Sequence, residues 1–498
     1  MKTQNFRIQY FLYYGILTIA GLLTGCNQEP PQRPNILFAI ADDWGWPHAS
    51  VYGDPVVQTP AFDRVAAEGI LFNHAYISSP SCTPSRNAVL TGQYHWRLGP
   101  GANLWSTLDT ATPVYPLLLE DAGYQIGYYR KSWGPGNLDD WERHPAGKNC
   151  TDSGFGQFLS ERTGDKPFCF WLGSWDPHRP YDRGTGARSG MNLDRIKLFE
   201  CFPDHEIVRS DVADYYYEVQ RFDTLVASAI RLLEEAGELE NTIIVVTGDH
   251  GMPFPRCKSN NYDSGARVPL AIRWGSKIKK TGRVLDDFVS LTDLAPTFLE
   301  LAGIEVPEVM TGKSLVNLME SEESGFLDPE NRSYVLHGKE RHVPSQEENM
   351  GGYPVRAIRN HDFLYIRNFK PDRWPSGTPD YLKAAIPYCW LGDCDNGPTK
   401  TYIADNKEKD DHHLKLWELS FGKRPVEELY DCRKDPEQLI NLADNPDYEE
   451  IRENLSAQLI QQLELTGDPR VIGGGDEFDT YPYYGMGPRH PSYQPDGK

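Results

Sequence analysis

A cysteine in an unusual setting lies at residue 82, in the sequence Cys82-Thr-Pro-Ser-Arg86. Pro84 and Ser85 favour a turn into a helix from Arg86 onward, and the N-terminus of a helix attracts anions. A buried structural cysteine is the plain alternative, but a polar, proline-flanked helix start beside an arginine favours a reactive group. The sequence therefore predicts a reactive side chain at residue 82, next to a helix start that attracts anions.

Two apolar runs, residues 35–41 and 241–247, end in side chains that can bind metals. These side chains are Asp42 and Asp43 after the first run, and Asp249 and His250 after the second. Such runs are typical of buried parallel strands, and open α/β sheets carry their sites at the carboxyl ends of the strands. Either pair alone is equally typical of a solvated loop. In one sheet, the two strand ends would bring three carboxylates and an imidazole together.

Three carboxylates in one place require a cation, because their mutual repulsion would otherwise raise their pKa values. Oxygen ligands favour a hard divalent ion such as Ca²⁺. An imidazole ligand is less typical of calcium, so manganese and zinc stay alternatives to it. We therefore expect one divalent ion per chain at this sheet edge, with calcium as the first choice.

The elements that must position these residues alternate between strands and helices. Strands are predicted at 35–41, 125–129, 167–173 and 241–247, and helices at 61–68, 116–122, 211–236 and 291–301. This alternation predicts an α/β fold with a large, mostly parallel sheet sandwiched by helices. From residue 331, short alternating runs predict a smaller C-terminal antiparallel α+β subdomain with a final helix near 447–464. The predicted parts are a catalytic domain at 35–330, this subdomain at 331–470, and a segment at 471–498 that is a tail or a loop folded over the site.

The N-terminus is typical of an exported bacterial lipoprotein. A basic start and an apolar run of about thirteen residues end in Leu23-Thr-Gly-Cys26, and this run is too short to span a bilayer. We expect residues 1–25 to be a cleaved signal peptide, Cys26 to carry the lipid, and residues 26–34 to form a polar tether. The protein would then lie at the periplasmic face of a membrane or at the outer-membrane or cell surface.

The net charge restricts the classes of partner that the protein can bind, and the cysteine content bears on disulfides. The formal net charge of −21 argues against a nucleic-acid partner, which requires a basic footprint. An anionic substrate must therefore meet a local basic cluster, since screening limits charge effects to about 8–10 Å. An oxidising compartment permits disulfides, and Cys389 and Cys394 are near enough in sequence to close a small loop.

Several motifs together resemble the type I, formylglycine-dependent sulfatase family of the alkaline-phosphatase-like superfamily. They are Pro34-Asn-Ile-Leu with Asp42-Asp43, Cys82-Thr-Pro-Ser-Arg86 with Leu90-Thr-Gly92, Gly248-Asp-His-Gly251, Lys258 with Tyr262-Asp-Ser-Gly-Ala-Arg-Val-Pro269, and Glu428-Leu-Tyr-Asp431. The resemblance covers nearly the whole mature chain. Trp175-Asp-Pro-His-Arg179 and Gly251-Met-Pro-Phe-Pro255 are most similar to the heparan N-sulfatase (sulfamidase) branch.

The resemblance implies hydrolysis of sulfate esters on a carbohydrate, such as oligosaccharides from a sulfated polysaccharide. A maturase would convert Cys82 to formylglycine, whose hydrated aldehyde attacks sulfur with one hydroxyl and releases sulfate with the other. Charge on the sulfuryl group would be neutralised by Arg86, Lys131 and Lys258. His178 would protonate the departing atom. The calcium ligands would be Asp42, Asp43, Asp249, His250 and residue 82 itself.

One position departs from the family pattern. Two residues after the family lysine a histidine usually helps sulfate release, but here Lys131-Ser-Trp133 has a tryptophan. His95 and His144 are candidate replacement bases from other loops, and Trp133 is a candidate for stacking on a sugar.

Three other functions stay open on the sequence alone. One is an N-sulfoglucosamine sulfohydrolase, because of the sulfamidase-like motifs. Another is a phosphodiesterase or phosphonate monoester hydrolase, since some of these enzymes share the fold, the cysteine motif and an Asp-His metal pair. The third is an inactive carbohydrate-binding lipoprotein, which only Trp133 suggests.

Overall fold

In the computed structural model, which describes residues 33–347 and 349–494, eight strands form the larger of two β-sheets. These strands are β1 (Asn35–Ala41), β2 (Ile70–Tyr76), β3 (Gln125–Tyr129), β4 (Lys148–Asn149), β5 (Phe168–Gly173), β6 (Thr242–Gly248), β7 (Leu270–Arg273) and β8 (Arg283–Ser290). Their order across the sheet is β4-β3-β5-β1-β6-β7-β2-β8, and only β7 runs antiparallel to its neighbours. The predicted, mostly parallel sheet is confirmed.

Helices cover both faces of this sheet. The α-helices of the described chain are α1 (Pro60–Ala67), α2 (Cys82–Thr91), α3 (Tyr115–Asp121), α4 (Gly154–Ser160), α5 (Thr185–Arg188), α6 (Glu206–Glu235), α7 (Asp263–Ala266), α8 (Leu294–Leu301), α9 (Val316–Glu320), α10 (Pro398–Asp405), α11 (Asp411–Phe421), α12 (Glu449–Leu465) and α13 (Pro469–Ile472). Alternate residues of β1 enter two separate apolar cores, Ile36, Phe38 and Ile40 on one face and Leu37, Ala39 and Ala41 on the other. Helices α2, α3 and α8 contribute to the first core, and α1, α4 and α6 to the second. The predicted sandwich is therefore confirmed.

Helix α2 begins earlier than the sequence rule predicts. It starts at Cys82 instead of at Arg86, so Pro84 lies inside its first turn. Proline is tolerated there because the first N–H groups of a helix have no partner within the helix. The consequence is that residue 82 itself occupies the N-terminal end of the helix.

A second, four-stranded sheet lies in the C-terminal part of the chain. Its strands are β9 (Tyr334–Lys339), β10 (Val355–Asn360), β11 (Phe363–Asn368) and β12 (Glu427–Asp431), in the order β12-β11-β10-β9, and all pair antiparallel. The α12 residues Leu455, Leu459 and Leu463 pack in one apolar cluster with Ile358 and Tyr365 of the sheet. The predicted antiparallel sheet is confirmed. Both sheets belong to one compact unit that begins at Pro34, and the exact boundaries at 330 and 470 stay predictions.

A buried ion cluster fastens the end of α12 to this second sheet. Arg356 of β10 is fully buried and donates hydrogen bonds to Asp468 at 2.5 and 3.0 Å and to Glu340 at 2.6 Å. We expect Arg356→Met to lower the free energy of unfolding by about 3–5 kcal/mol, because it leaves the buried carboxylate of Asp468 without its cationic partner. Urea unfolding measures this, with the exposed Arg188→Met as the matched control. A loss no larger than that of the control would contradict the assignment.

The eight cysteines of the described residues are all free thiols, so a bridge between Cys389 and Cys394, which their spacing permits, is not seen. Among the described helices, none has the length and apolar character needed to cross a membrane. The predicted signal peptide at 1–25 and the lipid on Cys26 lie outside the described residues.

Candidate active site

The site forms where two neighbouring strands end. Strands β1 and β6 pair in parallel up to the register Ala41↔Gly248, so the residues that follow them emerge side by side. The backbone N–H of Asp43 donates to Asp249 Oδ1 at 2.8 Å, and Asp43 has a left-handed φ of 72°. Aspartate is among the residues that tolerate this conformation. The convergence of Asp42, Asp43 and Asp249, all buried, is as the sequence predicts.

His250 presents one ring nitrogen to these carboxylates. Its Nδ1 is 3.0 Å from the carbonyl oxygen of Gly251 and donates to it, which leaves the lone pair of Nε2 free. Nε2 lies 3.2 Å from Asp43 Oδ1 and 3.2 Å from the Sγ atom of Cys82. A histidine ligand whose other nitrogen donates to a carbonyl is the usual arrangement at metal sites.

Cys82 completes this group of side chains. Its Sγ atom lies 3.7 Å from Asp42 Oδ1 and 4.0 Å from Asp43 Oδ1. Potential ligand atoms fall within 4.8 Å of one another in two overlapping sets, Asp43–Cys82–His250 and Asp42–Cys82–Asp249. Burial raises the pKa of the Cys82 thiol, although Lys131 and Lys258 oppose this effect. The unmodified thiol is therefore neutral, and a neutral thiol is a poor nucleophile.

Three cationic side chains pair with the carboxylates. Lys131 Nζ lies 2.5 Å from Asp42, Arg86 Nε donates to Asp249 at 2.7 Å, and Lys258 Nζ lies 2.8 Å from both Asp43 and Asp395. Four carboxylates thus face three cations, which leaves one net negative charge. An anionic substrate is repelled by that charge, whereas a divalent cation reverses its sign. The donors fit such an ion: carboxylate oxygens suit calcium, and the imidazole also suits manganese and zinc.

The carboxylates respond differently to this environment. Burial raises the pKa of Asp42, with Lys131 opposing it. Burial would raise the pKa of Asp249 as well, but His250, Arg86 and Lys131 together lower it below its ordinary value. Asp249 is therefore held as a carboxylate by its neighbours, while the charge on Asp42 is the less stable one.

Arg86 lies behind the carboxylates and is fully buried. Its guanidinium donates to the carbonyl oxygens of Lys131 and Ser132 at 2.9 and 3.1 Å, as well as to Asp249. It therefore fixes both the loop that carries Lys131 and the orientation of Asp249. Direct contact between Arg86 and the sulfuryl group stays a prediction.

His178 faces an open cavity of about 880 Å³, which Asp42, Cys82, Lys131 and Lys258 also line. Its Nδ1 donates to the carbonyl oxygen of Arg179 at 2.5 Å, and its Nε2 lies 3.9 Å from Asp43 Oδ2. Arg179 is itself held by two hydrogen bonds of 2.8 Å to Asp211 on α6. The loop thus presents Nε2 of His178 to the cavity, as the assigned role of proton donor requires.

The structure corrects the expectation about a replacement base. His95 is buried against Ser78, and His144 stacks on Tyr128, so neither lines the cavity. Trp133 does line it, and its Nε1 donates to Asn87 at 2.5 Å. Besides His178, a second histidine that lines the cavity is His342, whose Nδ1 lies 2.7 Å from the hydroxyl of Ser81.

Sequence reasoning missed the contribution of the C-terminal part. Asp395 and His342 reach the cavity from connecting segments around the second sheet, and no strand end or motif marks them. The C-terminal segment returns to the site, where Tyr483 and Met486 line the cavity. Of the two alternatives for residues 471–498, the folded-back loop is the one seen for residues 471–494.

The fold and the site together define an enzyme centre for an anionic substrate. A family model described as Sulfatase matches residues 34–304, so the chain belongs to the sulfatase family and is a sulfuric-ester hydrolase. An ulvan-active sulfatase of Formosa agariphila is 27% identical over 484 residues, which cover 88% of this chain and 76% of that protein. Human N-sulphoglucosamine sulphohydrolase is 27% identical over 504 residues, 92% of this chain and 94% of that protein.

Solved structures agree on the fold. One is a protein in complex with its substrate, D-glucosamine-2-N,6-O-disulfate; it superposes with a TM-score of 0.62 at 20% identity. The match covers 88% of this chain and 98% of the other. The likeness at this identity concerns the architecture, which includes the large sheet described above.

Proposed function

We propose that this protein removes sulfate groups from oligosaccharides of a sulfated polysaccharide, with formylglycine at residue 82 and one Ca²⁺ ion. The observation that carries the proposal is the meeting of Cys82 with Asp42, Asp43, Asp249 and His250 at one sheet edge. The formal charge of this site supports the ion, since an anionic sulfate requires a positive centre. The neutral, buried thiol supports the modification, because the unmodified cysteine is a weak nucleophile.

In this proposal the ion polarises the sulfate oxygens and formylglycine supplies the nucleophile. The chain's own residues then do three things. Lys131 and Lys258 lie on either side of the carboxylates and neutralise charge on the sulfuryl group. Nε2 of His178 holds the proton that passes to the departing oxygen. Arg86 keeps Asp249 and the Lys131 loop in place.

A carbohydrate substrate agrees with the size and lining of the cavity. About 880 Å³ lies near the upper end of the range for sites that enclose a small ligand, and the wall includes Trp105, Trp133 and Trp175. The similar proteins include an ulvan-active sulfatase, an N-sulphoglucosamine sulphohydrolase and a protein in complex with D-glucosamine-2-N,6-O-disulfate. An N-sulfated glucosamine is the second candidate substrate, because the human relative is matched along nearly its whole length.

The test is a turnover screen of protein co-expressed with a formylglycine-generating maturase. The screen compares the following compounds at equal concentration: sulfated oligosaccharides from ulvan and from heparan sulfate, N-sulfoglucosamine, an aryl sulfate and a phosphonate monoester. We expect fastest release from an O-sulfated oligosaccharide, loss of activity with a chelator, and recovery with Ca²⁺. Fastest turnover of the phosphonate ester would favour the phosphonate hydrolase, and binding without any turnover would favour an inactive lipoprotein. Recovery with only manganese or zinc would overturn the calcium assignment.

The cellular location is a further part of the proposal. The basic start, the short apolar run and Cys26 support an exported lipoprotein at the periplasmic or outer surface. Labelled palmitate should enter the protein when it is expressed in a bacterium, and Cys26→Ser should remove the label. Equal labelling of both proteins would exclude lipid attachment at Cys26.

A further inference from the structure

A large aromatic side chain lies exposed at the mouth of the cavity. Trp175 has 55% of its surface exposed, although it lines the same cavity as Cys82 and His178. Within the described residues it belongs to no apolar cluster and pairs with no other aromatic ring. Its backbone is held by the turn, because its carbonyl oxygen accepts a 2.9 Å hydrogen bond from the backbone N–H of His178. Burial in the core therefore does not account for this tryptophan.

An arginine lies against one side of this ring. The guanidinium carbon of Arg130 is 5.4 Å from the centre of the Trp175 ring and 4.9 Å from that of Tyr129. Its nearest carboxylate, Asp176, is 3.9 Å away and is shared with Arg221 at 3.7 Å. No side-chain hydrogen bond joins Arg130 to another residue in the described part of the chain, so its five N–H donors remain available.

The cavity extends from the reacting centre to Trp175 and Asp176, and Arg130 lies against the Trp175 ring beside it. Trp175 lies three residues before His178 and Arg130 directly precedes Lys131, so both are attached to the loops that hold the catalytic side chains. The exposed ring offers a flat apolar surface, to which the C–H face of a sugar can pack. The guanidinium offers a planar fork that suits a sulfate or a carboxylate. With a formal charge of −21 on the whole chain, such a cation at the mouth also provides the local attraction that an acidic substrate needs.

We propose that Trp175 and Arg130 form a second sugar subsite, in which the ring next to the reacting sugar packs on the indole and its acidic group pairs with the guanidinium. This inference rests on the proposed function and deepens it, since it makes the substrate an acidic oligosaccharide instead of a single sulfated sugar. Trp175 and Arg130 act on specificity and leave the reaction at residue 82 unchanged.

The test compares two substrates in each variant. An aryl sulfate, which has no neighbouring sugar, reports on the reacting centre, and a sulfated oligosaccharide with an acidic neighbouring ring reports on the subsite. We expect Trp175→Ala and Arg130→Gln each to raise KM for the oligosaccharide about tenfold, with kcat and KM for the aryl sulfate unchanged. The matched controls are Leu465→Ala, which removes an exposed apolar side chain on α12, and Arg188→Gln on α5. A neutral neighbouring ring should abolish the effect of Arg130→Gln only.

Equal changes on both substrates, or no change on the oligosaccharide, would overturn the subsite. If the wild-type protein hydrolyses neither substrate, the proposed function fails, and the subsite is then decided by calorimetry with the same oligosaccharide. Weaker binding to Trp175→Ala than to Leu465→Ala supports the subsite, and equal binding overturns it.

Discussion

Replacing Cys82 with alanine is expected to reduce sulfate release by roughly 10⁴-fold or more, the scale of loss when a catalytic nucleophile is removed. The thiol lies within 3.2–4.0 Å of His250, Asp42 and Asp43 and is 3% exposed, so a change there reaches the reacting atoms directly. The lysines and the proton donor would remain in place and could bind sulfate, but nothing in the site would attack it. Steady-state kinetics with protein from cells that contain the maturase measures the loss.

A second cysteine provides the control for this substitution. Cys150 is also buried, but it lies beside β4 and does not line the cavity, so Cys150→Ala should retain wild-type kcat. The mass of the peptide that contains residue 82 reports the modification independently of activity. The proposed nucleophile is wrong if this peptide keeps its thiol in active protein, or if Cys82→Ala turns over substrate at the wild-type rate.

The sequence alone predicts that the carboxylates of the site meet, because of one geometric rule. Parallel strands end at the same edge of a sheet, so acids that follow two apolar runs can meet even when about two hundred residues separate them. The parallel pairing of β1 with β6 brings Asp42, Asp43 and Asp249 together in this way. The rule needs no knowledge of the strand order beyond both strands being in one sheet.

Other parts of the site have no such signal. Asp395 meets Lys258 through a connecting segment whose path depends on the packing of the second sheet, and local sequence does not encode that path. The position of Trp133 and the absence of His95 and His144 from the cavity likewise depend on tertiary contacts. The start of α2 differs from the prediction for a local reason, because Pro84 lies within the first helical turn instead of before the helix.

The charge balance of the site leads to a prediction in which two similar substitutions have opposite effects on stability. In metal-free protein, Asp249→Asn should lower the free energy of unfolding by about 3–5 kcal/mol, because the buried Arg86 loses its 2.7 Å partner and keeps only the 3.7 Å ion pair with Asp42. Asp42→Asn should leave the stability equal or higher. The substitution removes a carboxylate whose charged form is disfavoured, because burial raises its pKa. Lys131, which lines the cavity, can then turn toward solvent instead of remaining a buried, unpaired cation.

The pH dependence follows from the direction of each shift. The folded-state pKa of Asp249 is lowered, so its contribution is present above the unfolded pKa and is lost as the pH falls through the folded value. The folded-state pKa of Asp42 is raised, so its charged form opposes folding above the unfolded pKa. Asp42→Asn should therefore gain stability relative to wild type as the pH rises above the unfolded pKa, whereas Asp249→Asn should lose stability relative to wild type as the pH rises from the acid range to the unfolded pKa and keep that deficit at neutral pH.

Adding Ca²⁺ distinguishes the electrostatic effect of each substitution on stability from its effect on metal binding. A saturating ion at a hundred times its Kd stabilises the folded state by about 2.7 kcal/mol, and each substitution removes one of the proposed oxygen ligands. We therefore expect the rise in Tm on adding Ca²⁺ to shrink in both variants. In chelator, however, the Tm of Asp249→Asn should lie below the wild-type Tm, and that of Asp42→Asn should be equal to it or higher. A full calcium-induced rise in either variant would exclude that residue as a ligand. Equal destabilisation of both in chelator would contradict the charge balance, because Asp249 holds the fully buried Arg86 at 2.7 Å, whereas Asp42 lies 3.7 Å from it.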